Sequence, residues 1–207
     1  MEVFIDGSRV EEGFSQGNLK EALLHLQSSL CAPTQIVVGI RCDGQDVPGS
    51  AMADVLDKPA DTFVRVDVLT STKEKLVTET MGQAAASLQE TETACEQVVA
   101  MLTEGKTSEA IEMLGDCLRI WQQIHDAVAK SIQMLDLDLT EVTIKDEPML
   151  DVITQPKETL VQIKQALQAQ DYVLLADVLQ YEFGNVTDRW YLLIARLRQE
   201  AEDRSGR

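Results

Sequence analysis

Few side chains in this sequence have chemical scope. The chain holds two histidines, His25 and His125, and four cysteines, Cys31, Cys42, Cys95 and Cys117. Histidine and cysteine are the usual sources of nucleophiles, general bases and zinc ligands. Here their spacing assembles none of these. No two cysteines stand as C-x-x-C, and zinc sites are built from close ligand pairs, so a structural zinc is not expected. Reduced, buried thiols are expected instead. Carboxylates of the last helical segment, Asp177, Glu182 and Asp188, are not paired with a histidine, and the Glu-x-x-His of di-iron helical proteins is missing. Gly82, Gly105, Gly115 and Gly184 are scattered, with no phosphate-binding loop and no G-x-S-x-G. No catalytic residue, metal or cofactor is therefore assigned, and an enzyme is not expected.

Two other groups are worth following into the fold. Trp121, His125 and Trp190 fall at apolar positions of helical repeats, with Tyr172, Tyr181 and Phe183 close to the second tryptophan. They form either helical core or the lining of a groove, with His125 at the stripe's edge. Asp136, Asp138, Glu141, Asp146, Glu147 and Asp151 crowd six acids into one stretch, interleaved with Leu137, Leu139, Val142 and Ile144. That pattern reads as a solvated loop or as a surface for a protein partner with a basic face.

Charge narrows the partners further. The 207 residues carry 35 Asp and Glu against 18 Lys and Arg, a net charge of −17. The excess is spread along the chain: residues 1–71 have 11 acids and 5 bases, and the rest 24 and 13. Such a chain repels phosphate backbones, so nucleic acid is not an expected ligand. An apolar content of 44% is too high for wholesale disorder. No run of about 18 apolar residues suggests a membrane span, and Met1-Glu2-Val3-Phe4-Ile5-Asp6 does not read as a signal peptide. A soluble cytoplasmic protein is expected.

The elements that must position these groups differ between the two ends of the chain. Val3-Phe4-Ile5 is β-prone and precedes the turn Asp6-Gly7-Ser8, with Val10 and Phe14 on a return strand. Leu19, Ala22, Leu23, Leu26 and Leu30 then recur at helical spacing, opened by Asn18 and Glu21 as a capping box and stopped by Pro33. Residues 35–42 form the strongest strand, ending at Asp43-Gly44. Residues 51–56 suit one helical turn. Residues 62–69 alternate as a further strand, with Val64, Val66 and Val68 on its apolar face.

This order of strand, strand, helix, strand, turn and strand over residues 1–71 resembles the β-grasp, or ubiquitin-like, fold. In modifiers and sulfur carriers of that fold a free Gly-Gly terminus does the chemistry. Here Leu69-Thr70-Ser71 runs on into a helix, so the resemblance implies a recognition module.

From residue 72 the period changes to helical. Val77, Met81, Ala84, Leu88, Thr91, Cys95, Val98 and Leu102 keep heptad spacing, broken at Gly105. Ile111, Leu114, Leu118, Trp121, His125, Val128, Ile132 and Leu135 form a second seam, widened by Cys117, Ile120 and Ile124. Residues 136–155 read as an extended, partly β-like acidic strap that crosses the bundle, unusually long for a plain loop. A third helix begins near Pro156 with Leu160, Ile163 and Leu167 as its stripe. Ala169-Gln170-Asp171 reads either as a tight turn with Asp171 capping a fourth helix or as part of one continuous helix. Tyr172, Ala176, Leu179, Phe183, Val186, Trp190, Leu193 and Leu197 form the last seam, with Gly184 marking a kink or a close helix contact.

The expected fold is thus α+β: a small β-grasp-like domain at 1–71, followed by an antiparallel bundle of three to four long helices at 72–207. The stretch from Gln165 to Trp190 resembles uncharacterised bacterial helical-hairpin proteins. More distantly, an acidic helical chain of this size resembles flagellar or type III export chaperones. The functional expectation is a non-enzymatic protein-interaction or scaffolding protein, self-associating through its helices or holding a partner. An export chaperone or adaptor, and a ligand-binding protein or enzyme around Trp121, His125 and Trp190, are the alternatives.

Overall fold

In the computed structural model, which describes residues 1–11, 17–29 and 34–205, an N-terminal mixed sheet precedes a helical C-terminal part. The chain divides into two units, Met1–Leu76 and Val77–Arg207. Phe14, Leu30, Cys31 and Pro33, expected on the return strand, the helical stripe, among the buried thiols and at the helix stop, lie outside the described residues.

Period-two patterning builds the sheet. Strands β1 (Glu2–Ile5) and β2 (Ser8–Val10) join through Asp6 and Gly7, both at positive φ (48° and 83°). Strands β3 (Gln35–Cys42) and β4 (Gln45–Asp46) repeat the device through Asp43 and Gly44 (49° and 83°). Two consecutive left-handed residues are what a tight hairpin with the right twist requires. Strand β5 (Arg65–Thr72) completes the order β2-β1-β5-β3-β4, with β1 and β5 parallel and the other neighbours antiparallel. Val3, Ile40, Cys42, Val66 and Val68 share a face covered by Leu19, Leu23 and Leu26 of helix α1 (Leu19–Ser29). Each such leucine contributes about 1.5–3 kcal/mol by leaving water. The capping box forms as expected: Asn18 Oδ1 accepts from the Glu21 amide at 2.9 Å, and the Asn18 amide donates to Glu21 Oε2 at 3.4 Å.

The fifth strand lies three residues later than its alternation suggests. Thr62 ends a 3-10 turn (Ala60–Thr62), and the Asp43 carboxylate takes the amides of Val64 and Arg65 at 3.0 and 2.8 Å. Val64 is consequently left 76% exposed. At the other end β3 is long enough to pair Thr70, Ser71 and Thr72. The two-residue β4 has too little alternation to be visible in sequence. Helix α2 (Met52–Leu56) occupies the expected single turn.

Heptad spacing builds the second unit. Helix α3 (Lys73–Thr103) buries all eight residues of its predicted seam, including the polar Thr91, whose hydroxyl donates to the Ser87 carbonyl at 2.8 Å. Gly105, at φ 78°, closes the helix. Its amide and that of Lys106 donate to the carbonyls of Leu102 and Met101, the pattern of a glycine C-cap. Helix α4 (Thr107–Met134) follows, with its buried stripe rotated from the predicted seam. Leu114, Trp121, Val128 and Leu135 are shared, but Ala110, Cys117, Ile124 and Ser131 take the other row. Ile111 is 39% exposed, and Leu118, His125 and Ile132 are half-buried. A seam read by size alone favours the larger residues; close approach of helices favours small ones such as Ala110 and Ser131.

The strap at 136–155 is not extended throughout. After a turn region it forms a two-residue hairpin, β6 (Thr143–Ile144) with β7 (Glu147–Pro148), and then helix α5 (Met149–Thr154). The helix forms because Met149, Val152 and Pro156 recur at helical spacing and are buried. Helix α6 (Pro156–Ala169) follows at once with its proline in the first turn. Its buried row is Pro156, Thr159, Ile163 and Ala166; the predicted stripe members Leu160 and Leu167 are 36% exposed and half-buried. Gln170 ends α6 in the left-handed region, and Asp171 Oδ1 accepts from the Leu174 amide at 3.0 Å, so the third and fourth helical stretches are separate.

The last seam is interrupted. It runs as α7 (Tyr172–Asp177), a π turn (Val178–Phe183) and α8 (Gly184–Ser205). A π turn holds an extra residue, so the buried row is re-phased from Leu175, Val178 and Leu179 to Phe183, Val186, Trp190, Leu193 and Leu197. Tyr172 and Ala176, expected in the seam, are only half-buried. A Cβ at Gly184 would meet nothing within 4 Å, so no close helix contact explains that glycine.

Candidate functional site

Trp190 of α8 lies against Trp121 of α4. Trp121 lies 4.8 Å from Trp190 and 5.0 Å from Phe183 between ring centroids, and His125, one turn along α4, stacks on Trp190 at 5.7 Å with planes inclined by 28°. The structure thus brings together the three aromatic candidates. Trp190 is fully buried and Trp121 3% exposed, while His125 keeps 43% of its side chain in contact with water. Among the described residues, Trp190 Nε1 has no hydrogen-bond partner.

Trp121 and His125 also form one wall of an open groove of about 520 Å³. Ile153, Thr154 and Pro156 close one end, and Lys157, Leu160, Val161 and Lys164 of α6 form the opposite wall. Leu160 and Val161 are 36% and 46% exposed. Positions 157, 160, 161 and 164 are spaced 3, 1 and 3, which puts them on one face of α6. That face presents two aliphatic side chains with a lysine on either side. The groove wall contains no carboxylate, and among the described residues neither Lys157 nor Lys164 forms an ion pair. Ile153, Lys157, Val161 and Lys164 escaped the sequence reading, and Leu160 was assigned there to a buried stripe. The usable signal was a second apolar row on α6 beside the buried one.

The six strap acids are placed apart by the local folding of the strap. Asp136 and Asp146 hold left-handed turn positions (φ 49° and 71°). Asp138 accepts from the Thr140 amide and hydroxyl at 2.9 and 2.7 Å, bonds that hold its carboxyl below the ordinary carboxylate range. Glu141 is exposed, Glu147 pairs with Arg189 at 3.1 Å, and Asp151 lies exposed on α5. Among the described residues no three His, Cys, Asp or Glu side chains are placed to hold a metal ion.

A smaller cavity of about 350 Å³ lies where the π turn faces α3, lined by Glu92, Cys95, Glu96, Phe183 and Thr187. Glu92 accepts from the Tyr191 hydroxyl at 3.3 Å. In the first unit, the sheet face away from α1 carries Phe4 with the Arg65 guanidinium 3.9 Å above its ring, and the pairs Arg65–Asp67, Arg41–Asp46 and Arg9–Glu2 at 2.6–2.8 Å. Among the described residues no helix is long and apolar enough to cross a membrane.

No curated protein and no solved structure matches the chain. A family model described as a domain of unknown function (DUF8042) matches residues 79–192, more than half of the chain and a span containing every residue of the groove. The chain belongs to this family, the domain of unknown function DUF8042.

Proposed function

We propose that this chain is a non-enzymatic protein-interaction protein, with a β-grasp-like head at residues 1–71 and an antiparallel helical bundle that seats an apolar segment of a partner. The head reading is supported by the sheet order β2-β1-β5-β3-β4 with β1 parallel to β5 and one helix on a single face. The functional reading is carried by one observation. Leu160 and Val161 stand in water opposite Trp121, on the wall of an apolar groove that the chain's own residues leave open. Aliphatic side chains aligned over an aromatic floor are the usual lining of a groove that receives an amphipathic helix.

The test is quantitative affinity enrichment from the native host with the wild-type chain and with the double variant Leu160→Asp/Val161→Asp. Both residues are partly exposed, so the variant is expected to fold and to show an unchanged circular dichroism spectrum. A stoichiometric protein retained by the wild type and lost from the variant supports the reading. Identical partner profiles for the two would refute it.

A further inference from the structure

We propose that the groove's occupant is an acidic amphipathic helix, one that carries an apolar pair flanked by carboxylates about seven residues apart; this rests on the interaction reading above and adds the chemistry of the partner. The charge of the site differs in sign from that of the molecule. The chain as a whole carries −17, yet the residues lining this groove include Lys157 and Lys164 and no carboxylate, although Asp126 stands against Gln122 and His125 of the opposite wall at 3.4 and 3.8 Å. Both ammonium groups lack an ion-pair partner among the described residues and so stand free to meet a partner's carboxylates. Two lysines seven residues apart stand two helical turns, about 10 Å, apart along α6. The space between them is filled by Leu160 and Val161. A helix laid along α6 meets this pattern with apolar residues at its centre and an acid one turn before and one turn after them.

The alternatives fit less well. A basic or neutral helix leaves both lysines unpaired or opposed. A second copy of this chain would bring another −17 to the encounter, which slows association of like-charged molecules. A small apolar acid satisfies one lysine but leaves the other idle. Rim charges of this kind act mainly on selectivity and on encounter rate, and the apolar contact supplies most of the affinity.

The probes are three synthetic helical peptides of about fifteen residues, long enough to hold some helix in water. They share a central Leu-Ile pair and differ only at the two flanking positions, which are Glu, Gln or Lys. Decanoate is the small-acid probe. Binding to the full chain is read by the fluorescence of its two tryptophans, Trp121 in the groove wall and Trp190 beneath it, and by calorimetry. The Glu peptide is expected to bind about five- to tenfold more tightly than the Gln peptide and more tightly still than the Lys peptide, as two partly exposed ion pairs allow. Lys157→Glu/Lys164→Glu should invert that order, the Lys peptide then binding more tightly than the Glu peptide. Equal binding of all three peptides, abolished by Leu160→Asp/Val161→Asp, overturns the acidic-partner inference and leaves the interaction reading standing. Binding of decanoate alone, or no binding of any peptide, overturns both.

Discussion

Trp121 and Trp190 meet with ring centroids 4.8 Å apart and planes inclined by 49°, and they are the only two tryptophans in the chain. One ring lies at the floor of an open groove and the other beneath it in the core, so this contact, with the stacking of His125 on Trp190, joins a surface feature to the packing of α4 on α8. Tilted aromatic pairs at this separation add about 0.5–1.5 kcal/mol to the area they bury. Trp190 belongs to the buried row Phe183, Val186, Trp190, Leu193 and Leu197 that follows the π turn at Val178–Phe183.

The weight of that contact predicts an ordered series at Trp190. Truncation to Ala leaves a cavity in the core and should cost about 3–5 kcal/mol in the unfolding of the helical part. Trp190→Phe should cost much less. It keeps a ring against Trp121 and removes an indole N–H that has no partner among the described residues. Urea unfolding followed by circular dichroism at 222 nm measures both. Equal losses for the two variants would mean that the ring contact carries little of the stability.

The β1–β2 hairpin is tied to β5 by a carboxylate. Asp6 accepts from the Thr70 amide at 2.9 Å and from the Thr70 hydroxyl at 2.5 Å, and these bonds hold its carboxyl below the usual value of 3.8. A carboxyl whose pKa falls on folding stabilises the fold above its unfolded value, and that contribution is lost as pH falls through the folded one. Asp6→Asn keeps a residue suited to the left-handed backbone at this position (φ 48°) and cannot ionise. Protection of the Thr70 amide from hydrogen exchange should be greater in the wild type than in Asp6→Asn near neutral pH. The difference should shrink as pH drops below about 4, and a pH-independent difference would contradict the charge-assisted account.

The described cysteines are packing residues. Cys42, Cys95 and Cys117 are all buried. The neighbouring Cys117 thiol, together with burial, pushes the Cys95 thiol well above its ordinary value; burial likewise raises Cys42. The thiolate is the reactive form, so the Cys42 and Cys95 thiols should resist iodoacetamide in the folded chain at pH 8 and react once urea is added; the Cys95 contact holds the Cys117 thiol below its ordinary value, and burial alone shields it. Peptide mass spectrometry identifies the sites, and fast native alkylation of Cys95 would contradict its assignment to the core.

How far the sequence reached depends on what sets each feature. The α3 seam was fully legible, because eight heptad positions from Val77 to Leu102 leave one face to bury. The hairpin turns were legible because Asp-Gly specifies a backbone conformation locally, and the capping box at Asn18 and Glu21 for the same reason. The α4 stripe was read one position off, because Ala110 and Ser131 are buried by close helix packing that hydrophobicity does not register. Within the strap the β-like part is present as the hairpin of β6 and β7, while the helix α5 is not legible because the acids mask the helical spacing of Met149 and Val152. The aromatic half of the site, Trp121, His125 and Trp190, was visible as an odd set in two seams. Its other half, Lys157, Leu160, Val161 and Lys164, was not, because which of two apolar rows on α6 faces the core is decided by neighbours distant in sequence.

The most direct test of the central claim is site-specific photo-crosslinking in the native host. A benzophenone amino acid placed at Val161, on the groove wall, should capture one protein, at a segment that is apolar on one face and acidic beside it. The same probe at Gln199, an exposed position of α8 away from the groove lining, should not capture that protein. A probe at Val161 that gives no adduct, or the same adducts as the probe at Gln199, would contradict a partner-binding groove.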